Sequence, residues 1–108
     1  MRTALVVPVA IFAVVAVALA IGLGLKPRET HKLDALRAIL STGSPLVPES
    51  YDYVYTRIKS DFCLSSISGG TDIMAGWADA NPMLPVHRGE LQCRSLGLAV
   101  EVYDEQGN

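Results

Sequence analysis

Between Ala4 and Leu25 the chain carries no charged residue, and this run limits the possible folds more than any other feature. A single helix over these 22 residues would be about 33 Å long, enough for a bilayer core of about 30 Å. The expectation is one apolar helix crossing a membrane. Pro8 would lie in its first turns, where a missing amide costs little, and Gly22 and Gly24 where it stops. Arg2 flanks the run on one side and Lys26, Arg28, Lys32 and Arg37 on the other, which places residues 26–108 in the cytoplasm as the body of a single-pass membrane protein. A secretory signal peptide is the rival, with Arg2 as its basic start and Ala16-Val17-Ala18 or Ala18-Leu19-Ala20 as a small-x-small cleavage site. A third reading makes the segment foreign sequence from a truncated gene or a misassigned start.

Every charge but Arg2 follows Leu25. With 9 Lys+Arg against 11 Asp+Glu in the whole chain, residues 26–108 are mildly acidic and contain no basic cluster able to track a phosphate backbone, which excludes nucleic acid as the expected partner. A part of this size hides only about 60–65% of the surface its unfolded chain exposes, so its stability is expected to be marginal. Cys63 and Cys93 would form one disulfide in an exported chain, but without further Cys or His they make neither a disulfide framework nor a zinc site. Two unpaired, largely buried thiols are expected. His31 and His87 stand alone and are read as ordinary histidines.

Leu33, Leu36, Ile39 and Leu40 suit one helical face, yet the run from Leu36 to Leu40 also suits a buried strand entering Ser41-Thr42-Gly43-Ser44-Pro45. Periodicity leaves both readings open. Pro48-Glu49 opens a clear helix: Tyr51, Val54, Tyr55 and Ile58 share a face, and Arg57 and Lys59 close it. Asp61 to Ile67 reads as a strand entering a glycine-rich loop at Ser68-Gly69-Gly70. Strand, helix, strand is a βαβ order, whose ligand site lies beyond the carboxyl ends of the strands. The two polar loops are therefore expected to meet on one sheet edge. Past Asn81-Pro82 and Leu84-Pro85, a C-terminal β-hairpin is expected, Glu90–Arg94 with Leu98–Tyr103. The fold class is thus α/β, a partial sheet with one clear helix, preceded by an apolar helix.

Ser68-Gly69-Gly70-Thr71-Asp72 has the make-up of a phosphate and metal loop: glycines admit close backbone approach, Thr71 offers a hydroxyl, and Asp72 offers a hard oxygen for Mg²⁺. Alone, such a string is more often a plain turn, and no Gly-Lys-Ser/Thr makes it a Walker loop. The ordered set carries more weight: Leu36-Arg37-Ala38-Ile39-Leu40-Ser41-Thr42-Gly43-Ser44-Pro45-Leu46, Ser66-Ile67-Ser68-Gly69-Gly70-Thr71-Asp72-Ile73, Asn81-Pro82, Leu84-Pro85-Val86, and Arg88-Gly89-Glu90-Leu91-Gln92-Cys93. Across residues 26–108 it closely resembles the acetoacetyl-CoA synthetase branch of the acyl-adenylate-forming (AMP-binding) ligases.

The resemblance implies a partial AMP-binding ligase domain at 26–108 behind an apolar segment at 1–25. Gly43, Ser44 and Pro45 match the loop that packs on adenine. Ser68, Gly69, Gly70 and Thr71 match the segment beside the nucleotide, with Thr71 as the catalytic hydroxyl near the α-phosphate. Asp72 stands where most such ligases have a glutamate that helps hold Mg²⁺. The implied ligands are ATP or AMP, Mg²⁺, CoA, and acetoacetate or a similar short oxo acid. In the parent reaction the acid attacks the α-phosphate, pyrophosphate leaves, and the CoA thiol displaces AMP. The family's phosphate-loop lysine, ribose-binding aspartate and C-terminal catalytic lysine have no counterpart among these strings, and Met1 to Leu25 looks unlike the family. The chain alone is therefore expected to be an inactive fragment of a cytoplasmic ligase, or else a small single-pass membrane protein with a structural or binding role.

Overall fold

The computed structural model describes residues 9–108, the first of them, to residue 16, by backbone alone. Its first sheet is parallel throughout. Strand β1 (Val9–Ala13) pairs with β2 (Ala38–Thr42), Val9 opposite Ala38 through to Ala13 opposite Thr42. On its other side β2 pairs with β3 (Cys63–Ser66), and the spatial order is β1-β2-β3. Helix α1 (Val14–Gly22) and the single turn α2 (Pro27–Thr30) connect the first pair; α3 (Pro48–Tyr53), continued by a π-helical turn at Val54–Ile58, connects the second. A second, antiparallel sheet follows in the order β4 (Ser68–Gly70), β5 (Ala75–Asp79), β6 (Cys93–Arg94).

The apolar run therefore does not form the single helix expected of it. Its described part is a five-residue strand followed by a nine-residue helix. Among the described residues no helix is long and apolar enough to cross a membrane, and the expected placement of Pro8 lies outside them. The physical reason is that strands of a parallel sheet, covered on both faces, need the same unbroken apolar sequence as a membrane helix. Val9-Ala-Ile-Phe-Ala finds its backbone partners in β2, and the helix runs on only to the expected glycines. There Gly24 N–H donates to Ile21 O (3.0 Å) and Leu25 N–H to Ala20 O (3.0 Å), the paired bonds that close a helix end.

The open choice at residues 33–40 resolves as a strand, with Ile39 and Ser41 buried on one face of β2. The expected helix at Pro48 is present, and its apolar face packs inward. Tyr51 and Val54 join Val17, Ile39, Leu46 and Leu64 in the core, with Tyr55 and Ile58 half-buried against it. Its last turn widens, Lys59 N–H reaching Val54 O at 3.1 Å, five residues back. The Lys59 ammonium then donates to the carbonyls of Leu33, Asp34 and Leu36 at 3.1, 3.0 and 2.8 Å. Those bonds fix the segment that enters β2 to the end of the crossover helix.

Two further expectations are corrected. Ser68–Gly70 is a strand, because β5 folds back on it and supplies its backbone partners; the loop is the following turn, Thr71 to Met74, closed by Met74 N–H on Thr71 O at 3.1 Å. The C-terminal hairpin of Glu90–Arg94 with Leu98–Tyr103 does not form. Cys93 and Arg94 pair with Asp79 and Ala78 of β5, and residues 98–103 hold no strand. Leu96 and Val102 are 97% and 92% exposed, so the alternation there has no core to face. Cys63 and Cys93 are free thiols, as expected, but half-buried rather than largely buried.

Candidate functional site

The carboxyl ends of β2 and β3 lie side by side, tied by Ile67 N–H donating to Ser41 O at 2.8 Å. From these ends the chain leaves through the two polar segments anticipated above. Thr42 leads into Gly43, whose φ of +101° admits few side chains and turns the chain toward Ser44 and Pro45. Ser66 leads through Ile67 into Ser68 and Gly69. A cleft of about 280 Å³ opens between them, walled by Thr42, Gly43, Ser44, Pro45, Ser66, Ile67, Ser68, Gly69 and Leu91.

A neighbouring cleft of about 340 Å³ shares Thr42, Ile67, Ser68 and Gly69 and adds Gly70, Thr71, Ala75, Gly76 and Asp79. The β4–β5 strand pair forms its floor and is unusually close there. A Cβ on Gly69 would stand 2.7 Å from Ala75 O and 2.8 Å from the Gly76 Cα. Only glycine permits that approach, which brings Thr71 to the rim of the same edge as Gly43.

Seven of the eight residues singled out in the sequence thus meet at one edge: Gly43, Ser44 and Pro45 on one side, Ser68 and Gly69 between the clefts, Gly70 and Thr71 on the other. Asp72 is the exception. It is exposed on the turn beyond Thr71 and lines neither cleft. Among the described residues no three His, Cys, Asp or Glu side chains converge as a preformed metal group. Among the described residues, neither cleft is lined by Lys, Arg or His. The described residues of this edge therefore offer hydroxyls, backbone groups and the Asp79 carboxylate, and no cation, to a ligand.

Sequence reasoning missed Asp79. Its Oδ2 accepts a hydrogen bond from the Ser95 hydroxyl, and Ser95 is buried. Ser95 N–H in turn donates to Trp77 O at 3.0 Å. No short string announces this pair, because β6 reaches β5 only after the excursion of residues 80–92.

No protein-family profile matches the chain. It is 56% identical over 84 residues to an acetoacetyl-CoA synthetase of Xenopus tropicalis, covering 78% of this chain and 12% of that protein. It is 52% identical over 84 residues to an acetoacetyl-coenzyme A synthetase of Rhizobium meliloti, covering 78% of this chain and 13% of the other. The chain thus spans about an eighth of the length of these relatives. The solved acetoacetyl-CoA synthetase from Streptomyces lividans superposes with a TM-score of 0.82 at 31% identity, over 95% of this chain and 16% of that one. That is a larger share than residues 26–108 can supply. The superposition therefore reaches into the apolar segment.

Proposed function

We propose, on the premise that this chain belongs to the acetoacetyl-CoA synthetase family, that it forms one wall of the nucleotide site of an ATP-dependent acetoacetate–CoA ligase and is inactive by itself. The observation that carries this reading is the shared sheet edge. Gly43, Ser44 and Pro45 flank a cleft with Ser68 and Gly69, and Thr71 lies in the adjoining one, at the carboxyl ends of parallel strands where open α/β sheets bind ligands.

In this reading the adenine ring packs on Gly43, Ser44 and Pro45. The Thr71 hydroxyl donates to an oxygen of the α-phosphate, where charge grows as the acid attacks, and Ser68 to Gly70 bring backbone close to the nucleotide. Mg²⁺ would neutralise phosphate charge during such a transfer; Asp72, exposed next to Thr71, would offer it one carboxylate, with waters and substrate phosphates completing the shell. Acetoacetate or a similar short oxo acid, and CoA, would be bound largely by surfaces beyond this chain.

The test is titration of the full chain with AMP, read from backbone amide resonances. Shifts confined to Gly43, Ser44, Ser68, Gly69 and Thr71 are the expected result. Shifts elsewhere, or none at millimolar AMP, would overturn the assignment of this edge to a nucleotide.

A further inference from the structure

Successive side chains of a strand face opposite sides of its sheet, and at the end of β2 the two sides meet different surroundings. Thr42 lines both clefts of the edge described above. Ser41, one residue earlier, lines a cavity of about 310 Å³ between α1, β2, the end of α3 and the chain that joins α1 to β2. The core residues Val17, Ile39, Leu46, Val54 and Leu64 form its walls. Of its described lining residues only Ser41 and Tyr53 carry a polar side-chain atom. The Tyr53 phenol is engaged, donating to Leu25 O at 2.8 Å. The Ser41 hydroxyl is fully buried and has no hydrogen-bond partner among the described residues.

We propose that this cavity is a binding site for a small neutral molecule, with an apolar body about the size of two fused rings and one hydroxyl that bonds to the Ser41 hydroxyl. The volume reaches the low end of small-molecule sites, about 300–1,000 Å³, and is about twice the roughly 150 Å³ that admits benzene. Water suits the cavity poorly, because a buried water needs about two to four polar partners and the described side chains offer it one. A charged ligand suits it no better: no Lys, Arg, His, Asp or Glu is among the described lining residues, and an unpaired charge among apolar walls is strongly disfavoured. A single hydroxyl on the ligand satisfies the one polar side-chain atom left over, while the rest of the molecule buries apolar surface. The site shares no described lining residue with either cleft and stands whether or not the edge takes a nucleotide.

The experiment is titration of the full chain with β-naphthol and, in parallel, with naphthalene, which lacks only the hydroxyl, read from backbone amide resonances. Shifts from both are expected at Val17, Ile39, Ser41, Val54 and Leu64, with Gly43, Ser68 and Thr71 unmoved. Ser41→Ala should weaken β-naphthol about fivefold, the worth of one hydrogen bond, and leave naphthalene unchanged. Ala20→Phe, which sets a ring into the cavity from α1, should abolish binding of both. The proposal is overturned by shifts that are absent or lie elsewhere, by Ser41→Ala affecting both ligands equally or neither, or by undiminished binding in Ala20→Phe. If Ala20→Phe does not fold, the Ser41→Ala comparison decides alone.

Discussion

The side-chain amide of Gln92 brackets the backbone of Asn81. Its Oε1 accepts from Asn81 N–H at 2.8 Å and its Nε2 donates to Asn81 O at 2.7 Å, with a further bond to Leu84 O at 2.8 Å. This clamp closes the excursion between β5 and β6, so that Cys93 arrives opposite Asp79. Gln92→Leu leaves Asn81 N–H and Leu84 O without their partner, while Asn81 O keeps Leu84 N–H at 3.2 Å, and should cost about 2 kcal/mol. Urea unfolding of the full chain measures it; an unchanged midpoint would show that the excursion closes without the clamp.

Removing residues 1–25 takes β1 from β2 and Val17 from the core. Losing one fully buried valine costs about 1.5–3 kcal/mol, before the unpaired edge of β2 is counted, in a domain class whose whole stability is about 5–15 kcal/mol. Residues 26–108 alone are therefore expected to show no cooperative thermal transition by circular dichroism. A sharp transition in a monomeric sample would contradict the structural role of the apolar strand and helix.

Ser41 is buried on the face of β2 that meets an apolar cavity of about 310 Å³, among Val17, Leu36, Ile39, Leu46, Val54 and Leu64. Its hydroxyl has no partner among the described residues. An unsatisfied buried hydroxyl costs about 1–3 kcal/mol, so Ser41→Ala should raise stability by about 1 kcal/mol. A loss of stability on denaturant titration would mean that the hydroxyl is satisfied in solution.

Tyr51 donates its phenol to Glu90 O at 2.9 Å, and burial pushes its pKa above the ordinary value. The folded state thus prefers the protonated phenol. Its contribution is fully present below about pH 10, the unfolded value, and is lost as pH rises through the higher folded value. Stability should fall more steeply above pH 10 in the unsubstituted chain than in Tyr51→Phe. Parallel pH profiles of the two would exclude Tyr51 as the titrating group.

The chain alone is expected to release no pyrophosphate from ATP, Mg²⁺ and acetoacetate. Among the described residues neither cleft is lined by Lys, Arg or His, and loss of one well-placed electrostatic group already costs about 10²–10³ in rate. Turnover that disappears in Thr71→Ala would show that this edge suffices for catalysis.

The parts of the fold that were legible before the structure are those specified by neighbours in sequence. Pro48 and the Tyr51, Val54, Tyr55, Ile58 spacing mark α3 locally, and the strands on either side complete one crossover unit. Val9–Ala13 was not legible as a strand because its only signal, unbroken apolarity, is common to a covered strand and a membrane helix. Cys93–Arg94 was assigned the wrong partner for a related reason: its alternation is real, but the Gln92–Asn81 clamp delivers it to β5, which lies further back. At the site, the loop strings located Gly43 to Pro45 and Ser68 to Thr71 correctly on one edge. Asp79 escaped notice because its orientation depends on Ser95, 16 residues away.

The first sheet takes its strands in the order in which they occur in the chain, β1-β2-β3. During synthesis each new strand can therefore dock on the outer edge of the one made before it, and none has to insert between two that are already paired. Assembly can keep pace with a ribosome adding about 5–20 residues per second, and once β3 has docked its outer edge is the next surface open to a strand made later.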